Sequence, residues 1–196
     1  MTSGSGVETD NSALPSKLAL RRHFLRAYHA GTRPLVFDAC AGSSVIWRTL
    51  AQEFDVQYWG VDVKPRRGRL TIDSIRILQQ PGWTFDVIDI DTYGSPWEHW
   101  AAMLPHVRKP TTVCLTWGNV WYGVAPGAIH KVLGLSFRVK PPAMLLAKAY
   151  RYALPYLLDQ ARQHGVRISE ACEAPSAGSV RYFGLRLEPG APNSGI

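Results

Sequence analysis

The chain has 196 residues, of which 46% are hydrophobic, and it carries 22 Lys and Arg against 15 Asp and Glu, a formal charge of +7. That composition excludes a disordered chain, and no apolar run approaches the roughly 18 residues of a membrane span, so a single cytoplasmic α/β domain is expected. Cys40, Cys114 and Cys172 are widely spaced without a C-x-x-C pair and the histidines show no ligand spacing, so neither a disulfide framework nor a metal is expected.

In chain order, the Ser, Gly and Thr-rich stretch 1–16 reads as a flexible leader to one domain over 17–196. Residues 17–30 have amphipathic spacing, with Leu18, Leu25 and Tyr28 toward one side and Arg21, Arg22 and Arg26 on another, and the helix they predict ends at Gly31. Apolar runs at 35–39, 56–62, 69–73, 85–90 and 111–117 then alternate with helical stretches at 44–53, 74–80 and 96–103. This alternation predicts right-handed crossovers and a parallel sheet with helices on both faces. A helix over 143–163, bent at Pro155, precedes strands at 166–172 and 180–187. The loop between those two is too short for a parallel crossover, so they must pair antiparallel. The predicted fold is a Rossmann-like α/β sheet of seven strands, five of them parallel, closed by a C-terminal antiparallel hairpin.

The first strand runs into Asp38-Ala39-Cys40-Ala41-Gly42-Ser43-Ser44 and a helix. Small residues in such a loop let a ligand approach the backbone, and a single glycine suits a smaller ligand than a dinucleotide pyrophosphate. Asp62 ends the second strand 20 residues after Gly42, where a carboxylate can accept from ribose hydroxyls, and Asp73 ends the third and could accept from an adenine amino group. The fourth strand delivers Asp89, Asp91 and the turn Thr92-Tyr93-Gly94-Ser95-Pro96 to the same edge. A carboxylate beside an exposed ring and a rigid turn suits chemistry on a planar amine: Asp91 accepts the N–H and Tyr93 stacks on the base.

These motifs resemble those of the class I S-adenosylmethionine-dependent methyltransferases. The resemblance rests on FDACAGSS, YWGVD, LTIDS and the closing segment ISEACEAPSAGSVRYFGL. It implies S-adenosyl-L-methionine as cofactor, its methionine part held at Asp38, Ala39, Cys40, Ala41 and Gly42, its ribose at Asp62 and its adenine at Asp73. The string VIDIDTYGSP is similar to the Asp-x-Asp-Pro-(Phe/Tyr)-Gly-(Ser/Thr)-Pro motif of the tRNA guanine-N2 dimethyltransferases. Asp89, Asp91, Tyr93, Gly94, Ser95 and Pro96 match, and Thr92 stands where that family has proline. The resemblance implies catalytic roles for Asp91 and Tyr93, a cofactor-side role for Asp89 and substrate contacts at Ser95 and Pro96.

Residues 99–158 contain no acid and seven bases, Arg108, Lys109, Lys131, Arg138, Lys140, Lys148 and Arg151, interleaved with Trp and Tyr. The remainder of the chain balances 15 bases against 15 acids, so the whole surplus lies in this window. Cations among aromatics can contact phosphates and stack on unpaired bases, which makes RNA or DNA the expected partner and Arg138, Lys140 and Lys148 its expected contacts. Stretch 118–142 reads as a lid or substrate loop. Three functions stay open: amine-directed methylation of a nucleic acid, methylation of a small molecule or protein, and a non-catalytic nucleic-acid-binding module. A homodimer or a partner protein would supply specificity.

Overall fold

A computed structural model describes residues 13–64, 70–92, 95–118, 132, 149–174 and 180–190. Helix α1 (Leu14–Tyr28) is followed by β1 (Leu35–Asp38), α2 (Val45–Leu50), β2 (Gln57–Asp62), β3 (Leu70–Thr71), α3 (Ser74–Leu78), β4 (Val87–Ile90), α4 (Trp97–Met103) and β5 (Thr111–Gly118). After a 3-10 turn, Ala149–Tyr152, come α5 (Ala153–Gln163), β6 (Val166–Ala174) and β7 (Val180–Pro189). The strands form one sheet in the order β3-β2-β1-β4-β5-β7-β6. The first five are mutually parallel, and β7 runs antiparallel between β5 and β6. The expected architecture is present, hairpin included.

Several boundaries move for local reasons. Helix α1 begins at Leu14 rather than at residue 17, because Pro15 suits a first helical turn whose N–H groups are unpaired. Strand β3 shrinks to two exposed residues. Pro155 does not bend a long helix: it lies in the first turn of α5, where its missing N–H leaves nothing unpaired. The remainder of the expected helix, 143–148, lies outside the described residues, as do leader residues 1–12.

Two hydrophobic layers sandwich the sheet. Against one face, Trp97, Trp100 and Met103 of α4 and Ala153, Leu157 and Ala161 of α5 pack on Phe37, Ile88, Val113 and Leu185. Against the other, α1 and α2 bury Leu18, Leu25, Trp47 and Leu50 on Val36 and Val87, and Phe24 lies on the β7 backbone. A side chain at Gly184 would overlap the Phe24 ring, so the helix approaches this closely only because that residue is glycine. No described helix is long and apolar enough to cross a membrane.

Candidate functional site

The carboxyl ends of β1 and β4 open onto a narrow cleft walled by Asp38, Cys40, Ala41, Ser43, Ser44, Asp89 and Asp91. Beyond β1 the chain stays wedged in the sheet: Ala39 N–H donates to the Asp89 carbonyl and Ala41 N–H to the Val61 carbonyl, both at 2.9 Å. It then turns sharply into α2 through Gly42, at φ +45°, and Ser44, at φ +53°. Only glycine takes such a φ without penalty, so Ser44 is held in a strained conformation. Asp62 braces the turn. Its Oδ2 accepts from Gly42 N–H at 3.0 Å and its Oδ1 from Lys64 N–H at 2.9 Å.

Asp38 is 5% exposed. Tyr58 donates to its Oδ2 at 2.9 Å, Cys40 N–H approaches Oδ1 at 3.3 Å, and no cation pairs with it among the described residues. The Tyr58 ring can fold back over β2 because the neighbouring position is Gly60, where a Cβ would overlap the Tyr58 hydroxyl. Burial, and after it the charge of Asp89, raises the Asp38 carboxyl well above the ordinary carboxylate range, with the Tyr58 hydrogen bond opposing in part.

The other two acids are paired by α1. Lys17 Nζ donates to both oxygens of Asp91, at 2.9 and 2.7 Å. One turn on, Arg21 makes a bidentate pair with Asp89, Nε to Oδ2 at 2.7 Å and Nη2 to Oδ1 at 2.6 Å, and Trp47 Nε1 adds 2.6 Å to Oδ2. Both side chains of the Arg21–Asp89 pair are at most 2% exposed. Burial is the largest influence and works against the guanidinium, but the charge and hydrogen bonds of Asp89, with Cys114 and Asp91, together outweigh it and hold Arg21 above its ordinary value. Asp89 therefore lines the cleft, yet both its oxygens hold α1 and α2 to β4. Arg21 does not face solvent as its helical spacing predicts. The missed signal is that Lys17 and Arg21, four apart, fall on the same stripe as Phe24 and Tyr28.

The remaining predicted residues distribute unevenly. Ala39 is buried behind the cleft, and Gly42 lies at its rim beside Asp62. Asp73 is not in the cleft wall: it caps α3, accepting from Ile75 N–H at 3.0 Å, with its side chain 47% exposed. Thr92 is buried, and its hydroxyl finds no partner among the described residues. Ser95 Oγ accepts from Trp97 N–H at 3.4 Å, and Pro96 is the buried N-cap of α4, so both shape the start of that helix. Tyr93, Gly94, Arg138, Lys140, Lys148 and most of stretch 118–142 lie outside the described residues. Cys114 is fully buried and its thiol is pushed up to about 12, while burial also raises the Cys40 thiol. Neither has the character of a nucleophile.

No protein-family model and no curated sequence matches the chain. Solved structures do. Trm1 from Pyrococcus horikoshii, in complex with S-adenosyl-L-methionine, is 16% identical with a TM-score of 0.66, over 92% of this chain and 56% of that one. The chain thus spans little more than half the length of Trm1. A 1,6-didemethyltoxoflavin-N1-methyltransferase from Burkholderia thailandensis, with bound 1,6-didemethyltoxoflavin and S-adenosylhomocysteine, is 14% identical with a TM-score of 0.55, over 93% of this chain and 80% of that one. At such identities the likeness is one of architecture. The chain has the Rossmann-like methyltransferase fold.

Proposed function

We propose that the protein is an S-adenosylmethionine-dependent methyltransferase acting on an exocyclic amine of a nucleobase in RNA or DNA. The observation that carries this reading is the convergence of Asp38, Asp91 and the small-residue loop on one cleft at the carboxyl edge of β1 and β4, the place where open α/β sheets take ligands. The residues present suit the cofactor. Asp38, the one acid of the cleft's three with no cation on it among the described residues, is the natural partner for the methionine ammonium, and the turn at Gly42 leaves backbone within reach. Asp62 would hold the ribose, and Asp73 the adenine amino group beside its capping role.

When bound, S-adenosylmethionine would supply an electrophilic methyl carbon, which a neutral amine can take in one step as the C–S bond breaks and the neutral thioether leaves. Asp91 accepts the amine N–H and takes the proton that the methylated nitrogen sheds. Lys17 fixes the orientation of that carboxylate, each of whose oxygens keeps a second lone pair for the substrate. Tyr93 stacks on the base. Alignment supplies most of the acceleration, and no covalent intermediate on the protein is required. The acid-free window with its seven bases supports a polyanionic substrate contacted through Arg138, Lys140 and Lys148.

The test is labelled-methyl transfer to total RNA, DNA and a small-molecule amine panel, followed by nucleoside mass spectrometry. Asp91→Asn should lower transfer on the order of 100-fold, with S-adenosylmethionine affinity by calorimetry little changed. Full transfer by this variant sinks the assignment of Asp91, and absence of cofactor binding by the folded wild type sinks the enzyme. One observation favours a second substrate class: the chain spans 80% of the toxoflavin-precursor enzyme but only 56% of Trm1. Methylation of a neutral small molecule, insensitive to salt, would establish that class instead.

A further inference from the structure

Away from the cleft, α1 and β6 bring together three side chains with metal-binding atoms. His23 Nε2 lies 2.6 Å from Glu170 Oε1, and Cys172 Sγ lies 3.3 Å from the same oxygen. The ligand atoms of His23, Glu170 and Cys172 all fall within 4.8 Å of one another. No sequence spacing announces this, because 147 positions separate His23 from Glu170.

A β-bulge makes the meeting possible. Ile168 pairs with Leu187, and both pack in the layer beneath α5. Two residues later on β6, but only one on β7, Glu170 pairs with Arg186. The extra residue, Ser169, reverses which face the strand presents. Beyond it Cys172 and Ala174 pack with the α1 layer instead, and Glu170 meets His23 and Tyr28. Without the bulge, Glu170 and Cys172 would continue on the face of Ile168, away from α1. The carboxylate is also aimed: the Tyr28 hydroxyl donates to Oε2, which leaves Oε1 to His23 and Cys172. An outer hydrogen bond that orients a ligand in this way is a recurring feature of protein metal sites.

We propose that His23, Glu170 and Cys172 form a zinc site, with a fourth position open to water, that staples α1 to the edge strand β6. A nitrogen, a carboxylate oxygen and a thiolate sulfur suit the borderline-soft Zn²⁺ in tetrahedral coordination, whereas Mg²⁺ and Ca²⁺ take oxygen only. Coordination forms the Zn–S bond as the Cys172 thiol proton leaves to solvent, and His23 binds through neutral Nε2. The His23–Glu170 hydrogen bond opens to admit the ion. Charge balances, since a carboxylate and a thiolate offset the two charges of the metal. His23, with its side chain 52% exposed, provides the way in. The ion would also fix the helix that carries Lys17 and Arg21, although its binding does not depend on the proposed transferase activity.

The test uses the full chain, freed of metal by chelation, titrated with Co²⁺ as a spectroscopic probe and with Zn²⁺ by calorimetry. A thiolate-to-cobalt charge-transfer band with the strong visible absorption of a tetrahedral site is expected, together with one Zn²⁺ per chain. Cys172→Ser should abolish the band, and His23→Ala should weaken Zn²⁺ binding by at least about tenfold. Zinc should raise the melting temperature of the wild type and leave that of Cys172→Ser unmoved. A folded wild type with no thiolate band, or variants that bind zinc as the wild type does, would overturn the proposal.

Discussion

The acids at the carboxyl edge of the sheet fall into two groups that are held in opposite ways. At the centre, Asp89 and Asp91 end β4 between parallel neighbours and are nearly closed off from water, and each is compensated by a cation from α1. At the periphery, Asp62 ends β2 and Asp73 follows β3, and both accept from backbone N–H groups, Asp62 from Gly42 and Lys64 and Asp73 from Ile75, with an exposed Arg76 3.9 Å from Asp73. A carboxylate that keeps contact with water needs only local donors. One that is desolvated needs an opposite charge, and on a parallel sheet that charge must come from another element. The first helix therefore supports the site from behind its wall, supplying the cations that Asp89 and Asp91 need, rather than standing apart from it.

Removing the central compensation should produce the largest effect. Arg21→Met leaves Asp89 buried with Trp47 as its remaining donor, and the expected loss is about 3–5 kcal/mol, read by chemical denaturation against the wild type. A loss below 1 kcal/mol would mean that water reaches Asp89 and that centre and periphery do not differ. Trp47→Phe keeps an aromatic ring and the ion pair but removes one hydrogen bond to a charged acceptor, together with the packing of the second indole ring in the core. Its expected cost is about 1.5–3 kcal/mol.

The fold was legible because its signals are local. Apolar runs of strand length alternate with helical spacing, and the short 175–179 connection forces the hairpin. The strand-end positions of Asp38, Asp62 and Asp91 followed from the same signals. The partners were not legible. Lys17 and Asp91 are 74 positions apart, and the sequence does not say that α1 crosses the face where β4 ends. Amphipathic spacing alone assigns a cation to the outer face, and it fails at Arg21 because that helix buries charge against charge. The Ser169 bulge is equally silent: alternation along β6 gives no hint that the strand changes face midway.

Asp38 lies between the two groups, buried like the central acids but held by neutral donors as Asp62 is. Its carboxyl is raised in the folded state by burial and by Asp89, so the folded protein binds a proton that the unfolded chain has already released above about 3.8. Stability should therefore fall as pH rises from that value through the folded pKa, with a slope of at most about 1.4 kcal/mol per pH unit for one proton. His29 works the other way. Burial lowers it to about 4, so its contribution is present above the ordinary histidine value and is lost as pH falls. The difference between wild type and Asp38→Asn isolates the first effect. Denaturation midpoints across pH 4 to 8 should show the variant gaining on the wild type as pH rises, and parallel curves would place Asp38 with the solvated acids.

The smallest effect tests whether a peripheral acid does two jobs. The structure assigns Asp73 the N-cap of α3, and the proposed function adds the adenine amino group. Asparagine caps a helix about as well as aspartate, whereas alanine does not. Asp73→Ala should cost about 1 kcal/mol of stability, and Asp73→Asn close to nothing. Both should weaken S-adenosylmethionine binding, by up to about tenfold for one lost hydrogen bond to a charged acceptor. Calorimetry beside denaturation separates the two roles. If stability responds to alanine while affinity responds to neither variant, Asp73 is a cap alone and the ligand crevice ends at Asp62. If affinity falls in both, the crevice extends along the sheet edge to the shortest strand, and a two-residue β3 suffices to place a binding acid because α3 fixes the carboxylate that the strand leaves loose.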